Sequence, residues 1–213
     1  MSEADETDRL LREAAAGDRA SWGELLTRHR ERLRRMVALR LDRRLQGRID
    51  ASDIVQEACL EASNRLNEYI DKPAMPFFLW LRFLTGQKLV TLHRHHFGMK
   101  MRDAGRDVPL DYGGAPATTS AGLAAQLMGH DPRPSEIAVQ LETQARFQAV
   151  LDTLDPLDRE IIALRHHEQL SNAEAARVLE LQEAAASKRY IRAMRRLKEA
   201  LSDWPQSGVE ATP

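Results

Sequence analysis

One apolar stripe limits what this chain can become more than any other feature. Trp22, Leu25, Leu26, His29, Leu33, Met36, Val37 and Leu41 recur at steps of three and four residues, with arginines on the other sides. That is the pattern of a long helix with one face turned to a core. The rest of the chain offers little from which to build a sheet. Ala, Leu, Glu and Arg are abundant, aromatic residues make up 5%, and Val, Ile and Thr are sparse and scattered, so the fold class reads as all-α. With 213 residues there is room for two small helical domains.

Local signals place the other helices. Leu10, Leu11, Ala14 and Ala15 mark a first short helix closed by Gly17, and Asp18 is placed to cap the long one. Asp50 opens a third helix with Asp53 at its third position, carboxylates where the positive end of the helix dipole favours them. Val55, Cys59, Ala62 and Leu66 form its inner face. Pro73 and Pro76 bracket a turn, and a fourth helix runs from about Phe77 to His96 with the aromatic start Phe77, Phe78, Trp80 and Phe83.

Residues 98–134 are rich in Gly and Pro and lose the periodicity, which predicts a flexible linker between a domain over 8–97 and another over 135–203. In the second, Ser135 is expected to cap a helix with Ile137, Leu141, Ala145, Val150, Leu151 and Leu154 inside. Asp155-Pro156 starts the next helix, through Ile161, Ile162 and Leu164. Ser171 and Glu174 form a capping box at a short helix ending near Glu180. The last helix, about Glu183 to Ser202, turns Ala186, Tyr190, Ala193, Met194, Leu197 and Leu201 to one side and its cations elsewhere. A short helix, a tight turn and a longer basic helix make a helix-turn-helix, whose second helix can enter a major groove.

The formal charge of −1 hides strong segregation. Nine arginines fall between Arg28 and Arg48 against Glu31 and Asp42, and six basic residues lie between Lys188 and Lys198 with no acid. From Asp50 to Asp71 six acids face one base, Arg65. Blocks of opposite sign predict one polyanionic and one basic partner. The single cysteine, Cys59, forms no internal disulfide and fits a reducing compartment. The longest apolar run, Phe77 to Leu81, is too short to span a bilayer and the first eight residues are acidic, so a cytoplasmic protein without a membrane partner is expected. His93, His95 and His96, and the pair His166 and His167, have no carboxylate or cysteine near enough in sequence to complete a metal site. No P-loop, nucleophile elbow or nucleotide fingerprint is present, so neither a cofactor nor catalysis is expected.

Two separated segments carry a resemblance over nearly the whole chain. The block Asp50-Ala-Ser-Asp-Ile-Val-Gln-Glu57 resembles the core-polymerase-binding signature of the extracytoplasmic-function sigma factors, in the sigma-70 superfamily. Leu154 to Arg165, followed by Ser187 to Leu197, is similar to the family's second conserved region. The resemblance implies an initiation subunit that binds core RNA polymerase and promoter DNA, with an anti-sigma factor as a further candidate partner. It also implies site residues. Asp53, Gln56 and Glu57, with Ile54, Asp50 and Glu61 beside them, would meet a basic coiled coil of the large polymerase subunit, Asp50 being foremost a cap. The turn from Tyr69 to Pro76, with Asp71, Lys72 and Met75, would capture an extruded base of the downstream promoter element. Stacking on aromatic rings, here Trp80, can offset unstacking by roughly 1–3 kcal/mol per base. Taken singly, each aromatic is better explained by core packing. Lys72, Arg82, Lys88 and Arg94 are the phosphate candidates there, and Lys188, Arg189, Arg192, Arg195 and Arg196 those of the upstream element.

Family members usually carry Gly in the turn between the two helices and Ser or Thr early in the recognition helix. This chain has Glu180 and Ala185 instead, which predicts a reshaped turn and one hydroxyl contact fewer. A stand-alone helix-turn-helix regulator explains residues 154–201 equally well, but leaves Asp50 to Glu57 and the aromatic turn without a role. A metal-dependent nuclease rests on the histidines alone.

Overall fold

The computed structural model describes residues 3–97, 114–127 and 137–202. These form helices, with no β-strand among the described residues. The chain divides into two compact units between Ala117 and Thr118.

The first unit contains α1 (Glu3–Ala15), α2 (Arg19–Arg40), α3 (Ala51–Asn64), α4 (Leu66–Asp71) and α5 (Phe77–Phe97). Helices α2, α3 and α5 pack on one another and α1 lies along α2. The stripe on α2 supplies this core: Leu25, Leu33, Met36 and Val37 have no exposed surface, and Leu41 follows just beyond the helix. Caps work as their sequences imply. The Asp18 carboxylate accepts from the Ala20 and Ser21 amides, and Asp50 accepts from Ser52. Trp22 Nε1 donates to Ser63 Oγ at 2.8 Å, tying α2 to α3. Cys59 is half-buried, and burial pushes its thiol pKa up, away from the reactive thiolate.

The expected third helix ends earlier than its apolar pattern implied. It stops at Asn64, and a separate turn of helix, α4, carries Leu66 and Tyr69. A second difference lies at the near end of the expected linker. Gly86, in the middle of α5, has Gly114 O, Ala115 Cβ and Ala115 Cα within 2.7–3.0 Å of where a Cβ would stand. Gly114 takes φ +73 with the Phe83 ring equally close. A helix-interior glycine costs roughly 0.5–1 kcal/mol relative to alanine, and here it admits a returning backbone segment that any side chain would exclude. Most of 98–134 lies outside the described residues, as does the Ser135 cap, but this part of it is packed.

The second unit contains α6 (Ser120–Leu127), α7 (Ile137–Asp152), α8 (Pro156–Ile162), a π-helical turn (Ala163–His167), α9 (Asn172–Val178) and α10 (Glu183–Ser202). Helix α6 falls within the expected linker. It packs on α7 and the π-helical turn, with Leu123 and Ala124 fully buried, and the Thr118 amide before it donates to buried Glu160 at 3.0 Å. Two apolar anchors among Gly, Thr and Ala are too few to show a period in sequence. On α7, Leu151 is buried and Leu154 follows it, whereas Leu141 (59% exposed) and Ala145 face outward instead of inward as expected. The side chains of Ile137 and Leu201 lie outside those described.

Starts of helices again follow local sequence. Asp155 caps α8 with Pro156 at its first position, and Ser171 with Glu174 forms the full reciprocal capping box of α9. The turn into α10 is not reshaped. Glu180 occupies the left-handed region at φ 54, and the Leu181 amide donates to Ala176 O at 2.8 Å. A non-glycine residue there costs roughly 1–2 kcal/mol, and glycine would forfeit part of the gain through unfolded-chain entropy. Glu180→Gly is therefore expected to stabilise the second unit by about 1 kcal/mol. Slower amide hydrogen exchange across α9 and α10 is the readout, and unchanged exchange would show that the turn carries no strain.

Candidate functional site

Helix α3 presents a clean division. Ile54, Val55, Ala58 and Ala62 are buried, while Asp53, Gln56 and Glu57 are exposed. The structure thus removes Ile54 from the expected contacts: at 6% exposure it is core. Asp50 is a cap, as its position implied. Glu61 is half-buried and lies between Lys88 Nζ on α5 (3.7 Å) and Arg65 (4.0 Å). Two expected contacts of different partners, Glu61 and Lys88, therefore answer each other within the fold. Leu60, 64% exposed, stands seven residues from Asp53 and joins its face. Sequence reasoning passed over it, although an apolar residue on the polar side of an amphipathic helix is itself a signal.

The aromatic helix start is a core. Phe77, Phe78 and Trp80 are 3%, 4% and 8% exposed. The Trp80 ring stacks on Tyr69 with centroids 4.5 Å apart, and Tyr69, itself 8% exposed, donates its hydroxyl to Met75 O at 3.0 Å. Tyr69 and Trp80 are thus corrected from base-contacting residues to the support beneath the turn. Above them Asp71 and Lys72 are exposed and Met75 is half-exposed. Arg82 is also corrected. It is 1% exposed in the interior of α5 and does not reach a phosphate in this conformation, while Arg94 is exposed. Spacing could not reveal this, because a buried arginine and an exposed one look alike in a basic helix.

His93 is likewise an inner residue. Its Nε2 accepts from the Asp42 amide at 3.4 Å, and burial lowers its pKa, favouring the neutral ring. His29 packs between Phe77 and Phe78. Among the described residues no group of three or more His, Cys, Asp or Glu side chains converges on a metal site.

The basic block from Arg28 to Arg48 is partly answered from within. Arg28 pairs with Glu24 and Glu6, Arg34 with Glu31, and Arg44 with Asp42, while the Arg32 guanidinium lies 3.6 Å over the Phe78 ring. On α10, Ala186, Ala193 and Leu197 are buried, and Lys188, Arg192, Arg195 and Arg196 are exposed. Arg189 differs from its neighbours. Its Nη1 donates to Asp158 Oδ1 at 2.6 Å, and Asp158, on α8, is 1% exposed. Arg189 is accordingly corrected from DNA contact to a strut between α8 and α10. No helix among the described residues is long and apolar enough to cross a membrane.

A helical chain with an exposed acidic face in one unit and a basic helix-turn-helix in the other has the build of a transcription initiation factor. Comparison with known proteins agrees. A family model described as "Sigma-70, region 4" matches residues 144–197. The chain is 31% identical over 201 residues to RNA polymerase sigma factor CnrH of Cupriavidus metallidurans, covering 92% of this chain and 95% of that protein. With the ECF RNA polymerase sigma factor SigD of Mycobacterium tuberculosis it shares 28% identity over 194 residues, 91% of this chain and 83% of the relative. A solved structure of CnrH with the cytosolic domain of CnrY matches 94% of this chain and 98% of that one, at a TM-score of 0.53 and 25% identity. The chain belongs to the extracytoplasmic-function sigma factors of the sigma-70 family. As such it binds core RNA polymerase and directs promoter-specific initiation.

Proposed function

We propose that this sigma factor divides its task among three surfaces. The exposed face of α3, with Asp53, Gln56, Glu57 and Leu60, docks on a basic element of core polymerase. The turn over 71–76, braced by Tyr69 and Trp80, receives an unstacked base of the downstream promoter element, with Lys72 as the cation of the turn itself and Arg94, at the far end of α5, as a separate phosphate candidate. Helix α10 enters the major groove of the upstream element with Lys188 and Arg195 on its outermost face. The observation that carries this reading is the sorting on α3, where every buried position is apolar and Asp53 and Glu57 stand outside. An acid face with no cationic partner at Asp53 or Glu57 among the described residues suits a basic protein and repels DNA.

The protein acts without chemistry of its own, in the cytoplasm where its polymerase works. The CnrH structure holds the cytosolic domain of CnrY, and by its similarity over nearly the full length this chain takes an anti-sigma partner as well.

In vitro transcription with purified core enzyme over a fragmented genomic library tests the whole reading. Transcripts are expected to begin downstream of a shared two-part promoter, and only when the sigma factor is present. The free chain should bind the same promoters weakly, because each unit offers few base-reading side chains and only docking fixes their separation. Nanomolar promoter discrimination without core enzyme would instead favour the stand-alone regulator.

A further inference from the structure

The cations of α10 lie on two neighbouring stripes. Lys188 and Arg195, two helical turns apart, occupy the outermost face, opposite buried Ala186 and Ala193. Arg189, Arg192 and Arg196 follow one another at three and four residues along one flank. That flank meets Asp158. Arg189 Nη1 is 2.6 Å from Asp158 Oδ1, Arg192 Nη2 is 3.5 Å from the same oxygen, and Arg196 Nη1 is 3.9 Å from Oδ2. The carboxylate is 1% exposed; the three arginine side chains are 26%, 54% and 55% exposed.

An ionised carboxylate so deeply buried needs a cation beside it. Arg189 meets that need with a short, charge-assisted hydrogen bond. Arg192 and Arg196 are held differently. They stand within the pull of the same charge, half in solvent and without a short bond, so a phosphate would have to compete with Asp158 for them. Phosphate contacts carry no sequence information, and each adds affinity for any duplex.

We propose that Asp158 is a positioning residue that sets the sequence-independent part of DNA affinity: it restrains Arg192 and Arg196 from phosphate and so limits the affinity of α10 for any duplex. Lys188 and Arg195 then supply the principal backbone contacts. The inference rests on α10 being the DNA-binding helix.

The test is the salt dependence of duplex binding by the full-length chain, on promoter and on scrambled DNA. In Asp158→Asn the amide oxygen still accepts from Arg189, but the charge is gone. The slope of log affinity against log salt should steepen by about two phosphates, roughly 1.8. Promoter and scrambled DNA should both gain affinity, about tenfold near 50 mM salt. Adding Arg192→Gln and Arg196→Gln to this variant should return the original slope. The same pair in the native background should change the slope by less than one phosphate. An unchanged slope in a folded Asp158→Asn protein overturns the proposal, because a merely structural carboxylate would lower affinity without altering the slope. Loss of two phosphates from the arginine pair in the native background overturns it too, and that arm decides the matter should Asp158→Asn fail to fold. A Lys188→Gln/Arg195→Gln variant with native slope would refute α10 as the DNA-binding helix, a result distinct from both.

Discussion

Reversing two charges on α3, Asp53→Lys with Glu57→Lys, is expected to weaken association with core RNA polymerase by roughly a hundredfold or more. Both side chains are exposed and one helical turn apart, so each would set a cation against the basic surface that the native carboxylates meet. Like charges brought together across an interface cost several kcal/mol, and about 2.7 kcal/mol already amounts to a hundredfold in affinity. The change at Asp53 also removes a favourable acid from the first turn of α3, at about 0.3–1 kcal/mol, too little to unfold a helix held by Val55, Ala58 and Ala62. Neutral Asp53→Asn with Glu57→Gln should fall between native and reversed. Competition of a labelled native chain for core enzyme gives the measurement, with duplex binding by α10 as the internal reference. Native core affinity in the reversed variant would move the docking surface elsewhere.

Loss of the Phe77 ring should have the largest effect on folding. Phe77 is 3% exposed, and its centroid lies 5.7–5.9 Å from Trp22, His29, Tyr69 and Trp80. It joins α2, α4 and α5 at one point. Phe77→Ala is expected to destabilise the first unit by about 3–5 kcal/mol, a large share of the roughly 5–15 kcal/mol typical of a domain. Urea unfolding followed by the fluorescence of Trp22 and Trp80 reads this directly. Met75→Ala in the turn above should leave the midpoint nearly unchanged. A loss below 1 kcal/mol in Phe77→Ala would mean that the aromatic cluster is not the keystone of this unit.

The contrast between these two sites follows how much of each was legible in the residues. On α3 the cap, the acids Asp53 and Glu57 and the inner positions Val55 and Ala62 obey one helical period, so spacing marks out most of the exposed face, while Ile54, Leu60 and Glu61 had to be placed by the structure. At the aromatic turn the same period left Tyr69, Trp80 and Arg82 open to either side. α5 is apolar enough to be surrounded, and Phe77, Phe78, Trp80 and Arg82 are all buried although they do not share one face.

The sequence by itself determined what depends on neighbours within about four residues. The caps at Asp18, Asp50 and Asp155, the capping box at Ser171, the proline start of α8 and the stripe of α2 are of this kind, because their hydrogen bonds and periodicities close within a helical turn. Only the tertiary structure decided which residues of like chemistry are consumed inside the fold. It buried Arg82, turned Leu141 outward, made α6 from part of a Gly- and Pro-rich tract, and placed Asp158 against Arg189, thirty-one residues away. It also kept Glu180 in a left-handed turn despite the strain, since the packing of α9 and α10 through Ala175, Ala176 and Ala186 requires that change of direction. Burial and ion pairing depend on what another helix brings to the same point in space, and no local pattern encodes that meeting.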